Sequence, residues 1–341
     1  MTTPSSTPTQ APDATPLAIS APGAAATAGT SLRSQLGTYI GLALVLFGMV
    51  ALFSSLSDYF LTVETFVSIA NEIPALAVMA VGMTFVLIIA GIDLSVGSVL
   101  ALCAAVTAAA IVQWKLPVPA AAALGLATGL LCGAVTGAVA VAWRLPTFIV
   151  SLGMLEAVRG GAYLVTESRT QYVGDAISGL AAPWIGGISA AFVLALATVV
   201  LGHVLLTRTV FGRYVVGIGT NEEAMRLAGV DPRPIRVIVF AATGLLAGLA
   251  GLMQAARLEA ADPNAGVGIE LQVIAAVVIG GTSLMGGRGS VVNTFFGVLI
   301  IAVLEAGLAQ VGASEPSKRI ITGAVIVAAV IIDTLRQRRA R

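Results

Sequence analysis

Unbroken apolar runs of about 20 residues dominate this chain, and that is the length an α-helix needs to cross a hydrocarbon core ~30 Å thick. In lipid every backbone N–H and C=O must find a partner within the protein, which leaves only helices or a closed barrel as spanning structures. Barrel strands alternate apolar and polar residues over roughly 10 positions. Runs such as 118–142 (VPAAAALGLATGLLCGAVTGAVAVA) show no alternation. The expected fold is all-α and polytopic, with spans at 36–56, 72–90, 95–113, 118–142, 146–165, 183–206, 235–256, 269–286, 290–311 and 318–335. That is about ten helices by the length criterion. Residues 61–71 (LTVETFVSIAN) are too short and polar to cross, and predict an interfacial or re-entrant helix.

Composition agrees. Charged residues make up 10% of the 341-residue chain and hydrophobic ones 57%, whereas a soluble domain carries about a quarter charged residues. The folded surface must therefore face lipid. A net charge of +1 offers no concentrated basic face for nucleic acid. Cys103 and Cys132 lie inside apolar runs, where a thiol behaves as a small hydrophobe.

Residues 1–32 form a Thr/Pro/Ser/Ala-rich stretch whose single charge is Asp13. Such a segment cannot bury enough apolar surface to offset its ordering entropy, so a disordered tail is expected ahead of a membrane domain over 33–341. The tail lacks the basic region and short apolar core of a cleaved signal peptide, so the first span is read as an uncleaved insertion signal. Cytoplasmic loops carry excess Lys and Arg. Placing the N-terminus inside puts Arg33, Arg144, Arg208, Arg213, Arg226, Arg233, Arg236, Arg288 and the tail RQRRAR in the cytosol. Only Lys115, Arg159, Arg169, Arg257, Lys318 and Arg319 then fall toward the outside. The span count is therefore even, with both termini cytosolic.

The segment 207–234 carries the most information. Thr220-Asn221-Glu222-Glu223 resembles a capping box, Gly229 offers a left-handed stop, and Pro232 blocks continuation. Between them lies EEAMRLA, with Ala224, Leu227 and Ala228 at helical spacing and Glu222 placed i,i+4 to Arg226. A short capped helix on the cytosolic side follows. It lacks the large apolar face and basic polar face of a membrane-surface helix, and Glu222 and Glu223 would be repelled by anionic lipid. A helix that docks on a cytosolic partner is preferred over one resting on headgroups.

Four stretches in this order, MTFVLIIAGIDLSVGSVLAL (83–102), LPTFIVSLGMLEAVRGGAYL (145–164), GRYVVGIGTNEEAMRLAGV (212–230) and IELQVIAAVVIGGTSLMGGRGS (269–290), resemble the ribose/xylose/arabinose-type permeases of bacterial ATP-binding-cassette (ABC) importers. The likeness runs over residues 60–335. It implies a multi-pass permease of the bacterial inner membrane that passes a monosaccharide-like solute inward. The partners it implies are a cytosolic ABC ATPase, a periplasmic or lipid-anchored sugar-binding protein and a second permease copy or paralogue, all within membrane lipid. By the same resemblance Asn221, Glu222, Glu223, Ala224, Arg226, Leu227 and Gly229 belong to the coupling helix that receives the ATPase. Three positions depart from the pattern: Thr220 stands where a second glycine is common, Asn293 where a glycine is usual, and Glu305-Ala306 where an asparagine-bearing pair is expected. The last two bear on substrate identity.

Glycines mark two candidate helix breaks. Gly91, Asp93 and Ser95 form one; Gly281, Gly286, Gly287 and Gly289 form the other. Residues 88–100 and 278–292 also share an apolar run, a Gly-x-x-Leu break and a Gly-Ser restart. Either an internal repeat or chance among glycine-rich spans accounts for the likeness. Asp93 reads as an N-cap for a helix starting near Ser95, as a gate or ATPase contact, or as both. The glycine-rich segment 280–289 is no phosphate loop, because a Walker A motif needs a lysine after its last glycine, and Lys115 and Lys318 follow Trp and Ser. No cofactor is expected in this chain; ATP and Mg would be bound by the separate ATPase.

Polar residues within spans are functional suspects. Asn71, Gln254, Asn293 and Glu305 are candidates for the substrate pathway. Glu156 and Arg159, at i,i+3, predict a local pair, and His203 near a span end predicts a solvated side chain. One histidine and no clustered acids or thiols give no catalytic group and no metal site. A proton- or sodium-driven secondary transporter is the rival reading, with Glu72, Glu156 and Glu305 as its only relay candidates. Related architectures for nucleosides or branched-chain amino acids remain alternatives within the importer reading.

Overall fold

The structure, a computed structural model, describes residues 32–184 and 186–339. The tail expected over 1–32 lies outside the described residues, apart from Leu32, which opens the first helix. The fold is helical, as the apolar runs require. In chain order the helices are α1 (Leu32–Leu56), α2 (Val63–Glu72), α3 (Pro74–Ile88), α4 (Val96–Val112), α5 (Val118–Ala142), α6 (Thr147–Val165), α7 (Ala190–Arg208), α8 (Val210–Thr220), α9 (Glu222–Leu227), α10 (Pro232–Leu258), α11 (Ile269–Ile279), α12 (Val291–Gln310) and α13 (Glu315–Arg339). A two-stranded ribbon pairs β1 (Gln171–Tyr172) antiparallel to β2 (Ala260–Ala261).

The expected count of about ten spans is not confirmed. Among the described residues six helices are long and apolar enough to cross, or seven if α2 and α3, which meet at a 49° bend, form one span. α4, with 17 residues, and α11, with 11, fall short. The span expected over 269–286 therefore stops at Ile279, and the one expected over 183–206 begins only at Ala190. α11 ends at Ile279 because Gly281, just past its C-cap, takes φ +83° and turns the chain out of the helix. The chain between β2 and α11 turns back against α4, bringing Gly266 and Ile269 against Gly97. Arg159 from α6 donates to the carbonyls of Pro263 at 2.6 Å and Ala265 at 2.7 Å, so this non-helical backbone is satisfied by protein.

Every residue of α3 is buried, which identifies it as the central helix. α5, α6 and α7 instead expose Leu131, Leu152 and Leu201, as lipid-facing helices must. α5 carries glycine at four-residue spacing, Gly125, Gly129, Gly133 and Gly137, and this stripe meets α10. A Cβ at Gly133 would strike the Phe240 carbonyl and sit 3.0 Å from the Gly244 Cα. Small residues let the two backbones approach this closely, the packing mode available where lipid removes any hydrophobic drive between helices.

Candidate functional site

At one end of the molecule the helix breaks converge. This end carries Arg144, Arg208, Arg213, Arg226, Arg233, Arg236 and Arg288, which marks it as cytosolic. The segment 207–234, expected as a loop with one short helix, holds two. α8 is capped by the Thr209 hydroxyl, which accepts from the Gly212 N–H at 3.2 Å, and it buries Gly212, Val215 and Ile218. Sequence reasoning missed α8, whose apolar face is short and broken by glycines.

α9 follows after a single residue. The capping group is Asn221, whose Oδ1 accepts from the Ala224 N–H at 2.9 Å. This corrects the capping box written around Thr220: the Thr220 hydroxyl donates backwards to the Val216 carbonyl at 2.8 Å and belongs to α8. The i,i+4 pair forms, with Arg226 on Glu222 Oε1 at 2.6 Å, and Arg236 adds a second bridge to Oε2 at 2.6 Å. Gly229 terminates the helix at φ +83°, with its N–H on the Arg226 carbonyl. Glu223 and Ala224 point outward beside Leu227, which is 83% exposed. Pro232 opens α10 behind the N-cap Asp231.

The end of α8 is wedged between both breaks. A Cβ at Gly219 would collide with the Ile88 carbonyl oxygen at the end of α3 and lie 2.6 Å from the Gly287 nitrogen. Those two groups are themselves bonded, the Gly287 N–H donating to the Ile88 carbonyl at 2.8 Å. Gly281, Gly286 and Gly287 adopt φ values of 83°, 85° and 74°, the left-handed region that favours glycine. Gly286 lies against Ala90 and the Gly219 carbonyl, and Gly289 lies against the Ile88 side chain. The two breaks with similar sequences thus meet at one point, and the helix pair of 207–234 is seated on it. Ile88 and Gly219 were not singled out from sequence, because their importance is a distance between backbones.

Asp93 and Ser95 sit in the first break, with Gly91 packed on Val86 and Phe240. Asp93 is 1% exposed, and its Oδ1 accepts from the Ser95 N–H at 2.9 Å and hydroxyl at 2.6 Å. The N-cap position of α4 is Ser95, so Asp93 closes the turn ahead of the helix and is not its cap. The break is fastened to α6 by the Ile92 N–H on the Thr147 hydroxyl at 3.0 Å.

The pathway candidates divide between the two ends. Asn71 and Gln254 line a small cavity at the outer end, and Glu305 lines a larger one of about 460 Å³ between α11, α12 and α13. Glu72 borders both. Glu305 accepts from Gln272 at 2.6 Å, and Glu72 pairs with Arg257 at 3.2 Å. Asn71 uses its amide to hold the loop before α7, donating to the Gly187 carbonyl at 2.9 Å and accepting from the Ser189 N–H at 2.8 Å. Asn293 is not with them. It lies in the first turn of α12 at the cytosolic end, where its carbonyl packs on Gly280. The Glu156–Arg159 pair is also absent: Arg159 is committed to the carbonyls of 263 and 265, and Glu156 is exposed. His203 is half-buried, with its Nδ1 shielded and unpartnered among the described residues, which corrects its reading as a solvated side chain.

Comparison with known proteins places the chain among transport permeases. The family model described as branched-chain amino acid transport system / permease component matches residues 65–330. The ribose import permease protein of Escherichia coli (strain K12) is 39% identical over 294 residues, covering 85% of this chain and 91% of its own length. The protein of the same name from Bacillus subtilis (strain 168) is 37% identical over 312 residues, covering 89% and 93%. The D-allose transport system permease protein of Escherichia coli (strain K12) is 34% identical over 302 residues, covering 88% and 91%. No solved structure matches.

Proposed function

This chain belongs to the branched-chain amino acid transport system permease-component family, and on that premise we propose that it carries a monosaccharide-like solute inward across the inner membrane as the permease subunit of an ABC importer. The names of its relatives support a sugar over an amino acid. The energy source is a separate cytosolic ABC ATPase that docks on α9, with ATP and Mg held there. A periplasmic or lipid-anchored binding protein delivers the solute, and a second permease copy or paralogue completes the pathway.

The observation that carries this reading is the seat of α8 and α9 on the two breaks. Force applied to exposed Leu227 and Glu223 passes through a short capped helix into Gly219, and from there into Ile88 and Gly287 without a flexible side chain between them. Close-packed interiors transmit displacement because they deform little. The outer cavity, with Gln272 and Glu305 hydrogen-bonded and Glu72, Lys318 and Arg319 around it, supplies the polar wall a neutral polyol needs.

The test is reconstitution into liposomes with and without the ATPase and binding protein, reading labelled ribose uptake. Accumulation that requires ATP and survives an uncoupler is expected. Uphill movement by the permease alone under an ion gradient would sink the proposal and favour the secondary-transporter reading. Competition of ribose uptake by a nucleoside or by leucine would instead redirect the substrate class.

A further inference from the structure

A cavity of about 250 Å³ opens at the cytosolic end between the α5–α6 corner and the start of α10. Its rim carries four guanidinium groups, Arg144, Arg226, Arg233 and Arg236, against the single carboxylate of Glu222. Its floor is apolar, formed by Gly137 and Ala140 of α5 and Phe240 of α10.

The charge within it is not balanced. Glu222 is already doubly occupied, by Arg226 and Arg236 at 2.6 Å each. Arg144 and Arg233 form no ion pair among the described residues. The Nε of Arg236 is shielded from solvent and has no hydrogen-bond partner among the described residues. Arg144 also holds φ 52° at the end of α5, a position where glycine is the ordinary residue. Arg144 and Arg233 are exposed and so are served by water, but four guanidinium groups around one carboxylate leave a surplus of positive charge in a concave site, and their planar fork matches the oxygens of a phosphate.

We propose that this cavity binds a phosphate-bearing anion, which links the α5–α6 corner through Arg144 to α9 and α10 through Arg226 and Arg233. Phosphate fits better than a carboxylate from a protein partner. The cationic rim sits above an apolar floor at the ends of membrane helices, where the phosphate of an anionic lipid or a small soluble phosphate has direct access. The occupant would tie α9 to the α5–α6 corner. The inference concerns binding to this chain alone and stands whether or not the transport reading holds.

The full chain is placed in phosphatidylcholine nanodiscs and titrated with inorganic phosphate while thermal unfolding is followed. In parallel it is placed in mixed phosphatidylglycerol/phosphatidylcholine nanodiscs, and retained lipid is read by native mass spectrometry. The Arg144→Gln/Arg233→Gln double variant should lose binding by roughly tenfold or more, whereas Arg257→Gln at the outer end should not. Glu222→Gln, which releases two guanidinium groups, should bind more tightly. This opposite sign separates anion binding from mere misfolding of the arginine variants. Selective retention of phosphatidylglycerol assigns the site to a lipid headgroup, and stabilisation by inorganic phosphate alone assigns it to a soluble anion. Silence in both arms, or equal binding by wild type and double variant, overturns the proposal. A site made for an acidic side chain of the ATPase would give that silence.

Discussion

Replacing Gly219 by alanine is the most direct test of how work enters this protein. The added methyl would collide with the Ile88 carbonyl oxygen and stand 2.6 Å from the Gly287 nitrogen and 2.8 Å from the Ile88 carbonyl carbon. All three are backbone atoms, so no rotamer change relieves the contact. The methyl is driven into the hydrogen bond that joins Gly287 to Ile88 at 2.8 Å. Overpacking a close-packed site costs about 1–3 kcal/mol, and a backbone group left buried without its partner costs about 1–3 kcal/mol more.

A conservative share of that penalty, ~2 kcal/mol set against the arrangement in which α8 clamps both breaks, corresponds to a roughly 30-fold loss of that arrangement. α9 and its exposed face are untouched, so the variant should insert and still co-purify with the ATPase. The assay is ATP-driven ribose uptake in proteoliposomes, with ATP hydrolysis followed in the same samples. Uptake should fall by an order of magnitude or more while hydrolysis continues, which is uncoupling. Gly160→Ala, where a Cβ meets nothing within 4 Å, is the control and should transport normally. Wild-type uptake by a correctly inserted Gly219→Ala protein would refute the reasoning.

Replacing Glu223 and Leu227 together by alanine removes two exposed side chains; membrane insertion should persist while ATPase co-purification and uptake are lost. Gly133→Val in the α5 stripe presses side-chain atoms on the Phe240 backbone, and should lower thermal stability in detergent by at least ~2 kcal/mol. Asn71→Ala frees the Gly187 carbonyl and Ser189 N–H, and should cost about 1–3 kcal/mol. Limited proteolysis should then cut the outer loop near 186–189 faster than in wild type.

What the sequence revealed was local, and what it hid was distant. Glu222 and Arg226 are four residues apart, so their ion pair follows from helix geometry alone, and Gly229 announces its left-handed stop by being glycine. Glu156 and Arg159 satisfied the same spacing rule but do not pair, because Arg159 donates instead to carbonyls more than 100 residues away at 263 and 265. Asn71 seemed a pathway residue because an amide in a span is conspicuous. Its partners at 187 and 189 lie across another such gap. The two breaks were legible as glycine clusters, but their meeting at Ile88 was not, since an isoleucine carbonyl leaves no mark in a sequence. The short α11 was missed because the apolar run of 269–279 continues into glycines whose positive φ angles end the helix.

The two breaks behave as one mechanical object because they are bonded twice, on either side of a helix turn. Ile88 receives the Gly287 N–H at 2.8 Å, and one turn back along α3 the Thr84 hydroxyl meets that of Thr294 in α12, also at 2.8 Å and fully buried. The Thr84 hydroxyl also donates to the Ala80 carbonyl at 2.7 Å, so parting α3 from the start of α12 at the cytosolic end would cost the Thr294 hydroxyl this partner and break a backbone pair. A push delivered through Gly219 falls on this clamped unit, so it must tilt α3 and α12 together or break the clamp. On the proposed function, a tilt that keeps these bonds would carry Glu305, on the far end of α12, relative to Glu72 beyond the bend at the start of α3. The outer cavity those residues border would then change shape, which is the link to the opposite face that the proposed coupling requires.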